Sequence, residues 1–141
     1  MNWPSPPAPI SPDLKQIQIW RICLESQPIS PCQLCLSAEE QARAARFRFE
    51  RDRRRFIQSR GSLRHILSRY LDCRPAEVAF TYGEYGKPQV SNDSALAFNL
   101  SHSEDLALCA VGYRQRLGID LEHLRPLTHF DSLSRRCLCD S

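Results

Sequence analysis

The chain has 141 residues, of which 42% are hydrophobic and 25% charged, and its formal net charge is +3. This is ordinary globular composition, enough for one domain that buries about two thirds of its unfolded surface. No run approaches the roughly 18 apolar residues that a membrane span needs, and MNWPSPPAPISP at the start has neither the basic beginning nor the apolar core of a signal peptide, so a soluble, cytoplasmic protein with no membrane partner is expected.

Residues 1–12 hold five prolines and read as a flexible tail. A domain over residues 13–124 follows. Ile17 and Ile19 alternate with Gln18, Trp20 and Arg21, which fits a first strand reaching Cys23. Residues 25–36, with Pro28 and Pro31, are expected as a loop. Ser37 with Glu40 three positions on forms a capping box, which predicts a helix over Ala38–Phe47. From Asp52 to Leu71, Phe56, Leu63, Ile66, Leu67, Tyr70 and Leu71 recur at helical spacing and predict a long helix with one buried stripe. Gly61 within it points to close packing against a neighbour.

Ten arginines lie between Arg43 and Arg69, on the faces left over by that stripe. Their density points towards an anionic ligand or partner. Nucleic acid is one candidate, because phosphate contacts come mainly from Arg and Lys; a solvated helix face balanced by Glu50, Asp52 and nearby acids is the plainer account.

Downstream, Val78–Tyr82 reads as a short strand, Gly83–Pro88 as a turn displaying Lys87, Gln89–Ala95 as a polar loop and Ala97–Leu100 as a strand. Asn99, Ser101, His102 and Ser103 then form a stretch of hydroxyls and a histidine that could cradle an anion. Ser101 and Glu104 also match a capping box, but the apolar run Leu106–Val111 is short and soon punctuated by Gly112, which favours a strand over a helix. Leu106–Tyr113 and Leu117–Leu121 are expected to pair as a hairpin across Arg114–Arg116. After Pro126 a helix is expected, with Leu127, Phe130, Leu133 and Leu138 as its apolar residues. Strand, helices and then several strands make an α+β fold of antiparallel strands packed with a long basic amphipathic helix.

Two features carry chemistry of their own. Asp120 and Glu122 alternate with Ile119 and Leu121, so on an extended backbone both acids share one face. Such a pair requires a cation, an Arg or Lys partner, or full solvation. Mg2+ suits it, since that ion takes one or two carboxylates and completes its shell with waters and phosphate oxygens; a solvent-facing strand end is the plain alternative. The seven cysteines are expected as reduced thiols. Cys32, Cys35, Cys137 and Cys139 could be arranged as zinc ligands, but buried or incidental thiols are the better account of their positions.

Taken in order, the GKP of Gly86–Pro88, FNLSHS from Phe98 and GIDLE ending at Glu122 resemble the 4'-phosphopantetheinyl transferase superfamily, in the branch of the surfactin-synthetase activator and the heterocyst-associated enzymes. The resemblance covers about residues 17–138. It implies one half of a pseudo-twofold α+β fold, with a cleft for coenzyme A. It also implies Mg2+-dependent transfer of the 4'-phosphopantetheine arm of coenzyme A to a serine of an acyl, polyketide or peptidyl carrier protein. Carried over by position, Asp120 and Glu122 look like Mg2+ ligands. Lys87, on a turn shaped by Gly86 and Pro88, resembles the residue that lies by the adenine and its phosphates, and Ser101 and His102 resemble the family's phosphate-binding pair. By residue type alone His102 fits a structural histidine as well. The stretch RFRFERDRRRF resembles the family's basic segment, which makes Arg43 and Arg55, with Arg46 behind them, candidates for the 3'-phosphate.

The family's second acidic motif, W-x-K-E-x-x-x-K, has no counterpart here: neither Trp3 nor Trp20 is followed by Lys-Glu. Residues 125–141 are expected as the first helix of a truncated second subdomain. Three functions are therefore distinguished: the transferase, which labels a carrier protein; a remnant that binds coenzyme A without turnover; and, least in keeping with the motifs, a basic-helix nucleic-acid binder whose affinity falls steeply with salt.

Overall fold

The computed structural model describes residues 15–93 and 95–126. The proline-rich tail, the helix expected after Pro126 and the pair Cys137 and Cys139 lie outside the described residues. Within them the chain is α+β and antiparallel, as expected. Strands β1 (Gln18–Cys23), β4 (Leu96–Ser103) and β5 (Leu106–Tyr113) form a sheet in the order β1-β5-β4, and β2 (Phe80–Tyr82) pairs with β3 (Pro88–Val90). The helices are α1 (Ile29–Leu34), α2 (Ala38–Ala45) and α3 (Glu50–Leu71).

The sheet is organised around β5, which pairs along its whole length with β4 on one side and from Leu106 to Val111 with β1 on the other. A central strand has both edges paired, and every residue of β5 is buried or half-buried, which fits its unbroken apolar run. One face of the sheet carries Ile22, Phe98, Cys109 and Val111, and α3 lays Leu63, Ile66 and Leu67 across them. The expected helical stripe is thus the one that is buried. The parity of β1 is a correction: Trp20 and Ile22 face this core, whereas Ile17 and Ile19 remain 49% and 46% exposed.

The hairpin β4–β5 turns at Glu104 and Asp105, with Glu104 at φ 53°. A two-residue connection takes positive φ because its twist then matches that of the strands. Ser101 and Glu104 therefore sit in a hairpin and not in a capping box.

Three further expectations are corrected. Residues 25–36 contain helix α1, because Pro28 stands at its N-cap and Pro31 within its first turn, where the missing N–H has no intrahelical partner to lose. The polar stretch after Pro88 contributes β3, whose Val90 is buried and faces Phe80. Leu117–Leu121 does not pair with β5, since both edges of β5 are already occupied by β1 and β4.

Where α1 crosses α3, Gly61 admits the neighbour that its presence announced. A Cβ there would stand 2.4 Å from the Cβ of Cys32, and a second small core of Cys32, Leu36, Ala44 and Ile57 forms around this contact. The capping box at Ser37 is present: Ser37 Oγ accepts from the Glu40 amide at 3.2 Å, and Glu40 Oε2 accepts from the Ser37 amide at 3.0 Å.

Candidate functional site

Strand β4 runs through the site and divides it. Adjacent side chains of a strand point to opposite faces, so Ser101 and His102 part company. His102 turns towards α3. It lines a cleft of about 470 Å³ with Arg43 of α2, Arg55, Phe56 and Arg60 of α3, and Leu100 of β4. Ser101 turns to the opposite face and meets the acidic segment.

That segment is held to the sheet by side chains in place of a backbone ladder. The Ile119 amide donates to Asn99 Oδ1 at 2.8 Å and the Leu121 amide to Ser101 Oγ at 3.1 Å. Lys87 Nζ donates to the Leu117 carbonyl at 3.0 Å. Leu117 is buried and touches the position of Gly112, while Ile119 and Leu121 are half-buried. Asp120 and Glu122 are exposed. The two acids thus share the outward side of a pinned, extended segment, and Ser101 Oγ approaches Asp120 Oδ1 at 3.4 Å. Among the described residues no three His, Cys, Asp or Glu side chains are grouped to hold a metal. Two carboxylates facing solvent do fit Mg2+, which fills its remaining positions with water and substrate oxygens.

The turn before β3 explains its glycine. Gly86 adopts φ 74°, a left-handed conformation that suits glycine, and nothing lies within 4 Å of the Cβ it lacks. Conformation and not space selects it. Pro88 opens β3 opposite Tyr82. Lys87 lines neither cleft described here; the structure brings it to the acidic segment.

In the arginine cleft the predicted residues meet with different freedom. Arg55 is committed to Asp105 at 2.9 Å on the β4–β5 turn. The hydrogen bond from Arg55 holds the Asp105 carboxyl below its ordinary range and raises the guanidinium in turn. Arg43 lies over the ring of Phe56, 5.2 Å from its centroid. It also lines an adjoining cleft of about 320 Å³ with Arg46, Arg60, Tyr82, Glu39 and Glu40. The ten arginines are not all on solvated faces. Arg64 is buried, donating to Glu40 Oε2 at 2.8 Å, to the Val78 carbonyl at 2.6 Å and to the Pro75 carbonyl at 3.1 Å.

Sequence reasoning missed Asn99 as a tether and Arg60 as a cleft residue. Arg60 stands one turn before Arg64, beside Gly61, a spacing that would have flagged it as facing α1 and α2. The described cysteines Cys23, Cys32, Cys35, Cys73 and Cys109 are all free. Burial pushes the Cys35 thiol up to about 11 and Cys109 up to about 12, so these are protonated packing groups.

The family model of the N-terminal portion of 4'-phosphopantetheinyl transferases matches residues 24–113. Among relatives, the chain is 49% identical over 127 residues to the 4'-phosphopantetheinyl transferase HetI of Nostoc sp., a match covering 86% of this chain and 53% of that protein. It is 30% identical over 93 residues to the 4'-phosphopantetheinyl transferase Sfp of Bacillus subtilis, covering 66% of this chain and 41% of the relative. It is 36% identical over 92 residues to psf-1 of Bacillus pumilus, covering 65% and 39%. The chain belongs to the 4'-phosphopantetheinyl transferase family. It spans about half the length of the HetI relative and less of the two Bacillus ones.

Proposed function

We propose that this chain takes part in moving the 4'-phosphopantetheine arm of coenzyme A onto a serine hydroxyl of an acyl, polyketide or peptidyl carrier protein, with Mg2+, releasing adenosine 3',5'-bisphosphate. The reading is supported above all by one juxtaposition. Strand β4 carries His102 to a cleft lined by Arg43 and Arg55, and on its opposite face it holds, through Asn99 and Ser101 on either side of the cleft-facing Leu100, the segment bearing Asp120 and Glu122. Phosphoryl transfer depends on positioning and on neutralising phosphate charge, and these are the groups that do so.

In this reading Arg43 and Arg55, with Arg46 beside them, take the 3'-phosphate of coenzyme A through their planar forks. His102 holds phosphate oxygens from within the cleft, and Ser101 does so from the opposite face of β4, beside Asp120. Lys87, with Gly86 and Pro88 setting its turn, adds positive charge beside the nucleotide. Asp120 and Glu122 would hold Mg2+, which when bound neutralises the pyrophosphate and the departing bisphosphate. A cytoplasmic setting accords with the free thiols, and among the described residues no helix is long and apolar enough to cross a membrane.

The test is a mass-shift assay with coenzyme A, Mg2+ and an apo carrier protein. A phosphopantetheine mass gain on the carrier is expected, and it should vanish with Asp120→Ala. Coenzyme A binding with no mass gain would assign the chain to binding alone. Binding of nucleic acid that falls with salt and ignores coenzyme A would overturn the reading altogether.

A further inference from the structure

We propose that Arg60 is an anion-binding residue of the arginine cleft, acting with Arg43 on a phosphate monoester. The inference rests on the coenzyme A reading above and assigns to Arg60 the 3'-phosphate of that ligand.

A charge count carries it. The side chains of Glu40, Arg60 and Arg64 are 5%, 11% and 3% exposed, so one buried carboxylate faces the buried guanidinium of Arg64 and the inward Nη1 of the half-buried Arg60. Oxygen Oε2 of Glu40 is already taken by Arg64 Nε at 2.8 Å and by the Ser37 amide at 3.0 Å. Oxygen Oε1 stands 3.8 Å from Arg60 Nη1, beyond hydrogen-bond reach, and both atoms are buried without a hydrogen-bond partner. Arg64 completes its fork on the carbonyls of Pro75 and Val78. Arg60 has rings instead, Phe56 at 5.9 Å and Phe80 at 5.3 Å. A desolvated cation in surplus over its counter-ion is unfavourable unless an anion answers it.

Where that anion would sit follows from the clefts. Arg60 and Arg43 line both of them, and both guanidiniums lie over the ring of Phe56. Two like charges on one ring repel until a shared anion stands between them. A phosphate monoester carries close to two negative charges and three terminal oxygens, which suits two planar forks. The other carboxylates lining the clefts do not fill the need: Glu39 is exposed, Glu104 is exposed and paired with Arg125 at 2.8 Å, and Asp52 is shared with Arg51 at 3.8 Å.

The experiment is calorimetric titration of the full chain with coenzyme A and with its analogue lacking the 3'-phosphate, with melting curves for every variant. The chain should prefer coenzyme A. Arg60→Gln, which removes the charge and keeps a polar side chain, should cut that preference by roughly tenfold to a hundredfold and leave affinity for the analogue unchanged, and Arg60→Lys should restore part of it. A preference that survives Arg60→Gln but falls with Arg43→Ala overturns the role of Arg60 and leaves the coenzyme A reading intact. A chain that binds both ligands equally, or neither, overturns that reading and this inference with it.

Discussion

Glu40 belongs first to a capping box and then to a buried ion pair, and its second role outweighs its first. Removing its side chain would leave Arg60 and Arg64 buried with no carboxylate, and breaking a buried pair in this way costs about 3–5 kcal/mol, against about 1 kcal/mol for a lost cap. Glu40→Ala is therefore expected to lower the chemical-denaturation midpoint severely, and a loss near 1 kcal/mol would show that Arg64 is adequately held by the Pro75 and Val78 carbonyls. Gly61 is constrained by space. Gly61→Ala would press on Cys32, whose Cβ lies 2.4 Å from the added atom, and overpacking of this kind costs about 1–3 kcal/mol. Gly118→Ala meets nothing within 4 Å and serves as the control that should melt with the parent.

At the scale of elements, the segment 117–122 is the most informative, because it has strand-like exposure without a strand's hydrogen bonds. Its three tethers come from Lys87, Asn99 and Ser101. Each neutral hydrogen bond is worth about 1 kcal/mol net, so Asn99→Ala should release the Ile119 amide to exchange roughly fivefold faster and weaken the Mg2+ binding proposed for Asp120 and Glu122. Unchanged exchange at Ile119 would mean that the packing of Leu117 alone holds the segment. Asp105 ties the β4–β5 hairpin to α3 through Arg55. Its folded-state pKa is depressed, so the stabilisation is present above the ordinary carboxylate range and is lost as pH falls through the lowered value. Asp105→Asn should lower stability most in the neutral region, where the pair with Arg55 is intact, and flatten the acid limb below about pH 4, so that variant and parent converge in acid.

For the molecule as a whole, the buried thiols give an alkaline counterpart. Cys35 and Cys109 are held neutral, with values of about 11 and about 12. Their folded-state pKa values are raised, so this stabilisation is complete below the ordinary thiol range and is lost as pH rises towards the raised values. Alkylation of the native chain near pH 8, mapped by mass, should spare Cys35 and Cys109 and, among the described cysteines, modify the half-buried Cys23 and Cys73 ahead of them. Early modification of Cys109 would contradict its place at the centre of the sheet.

The α+β class, the long helix, the capping box at Ser37, the close approach at Gly61 and the alternation of acids with aliphatics from Ile119 to Glu122 were all set by local pattern, because each depends on residues within a few positions of one another. Family membership was legible for the same reason, in three short motifs taken in order. Tertiary structure decided the rest. It placed Ile17 and Ile19 outward and Trp20 and Ile22 inward, made a helix around Pro31, and denied Leu117–Leu121 a place beside β5 because β1 and β4 had filled both edges. It also sorted the arginines. Arg55, Arg60 and Arg64 lie along one helix, yet one binds a hairpin carboxylate, one shares buried Glu40 without a hydrogen bond and one is locked into carbonyls. What separates them is which distant groups the packed chain brings within about 3 Å, the reach of a hydrogen bond.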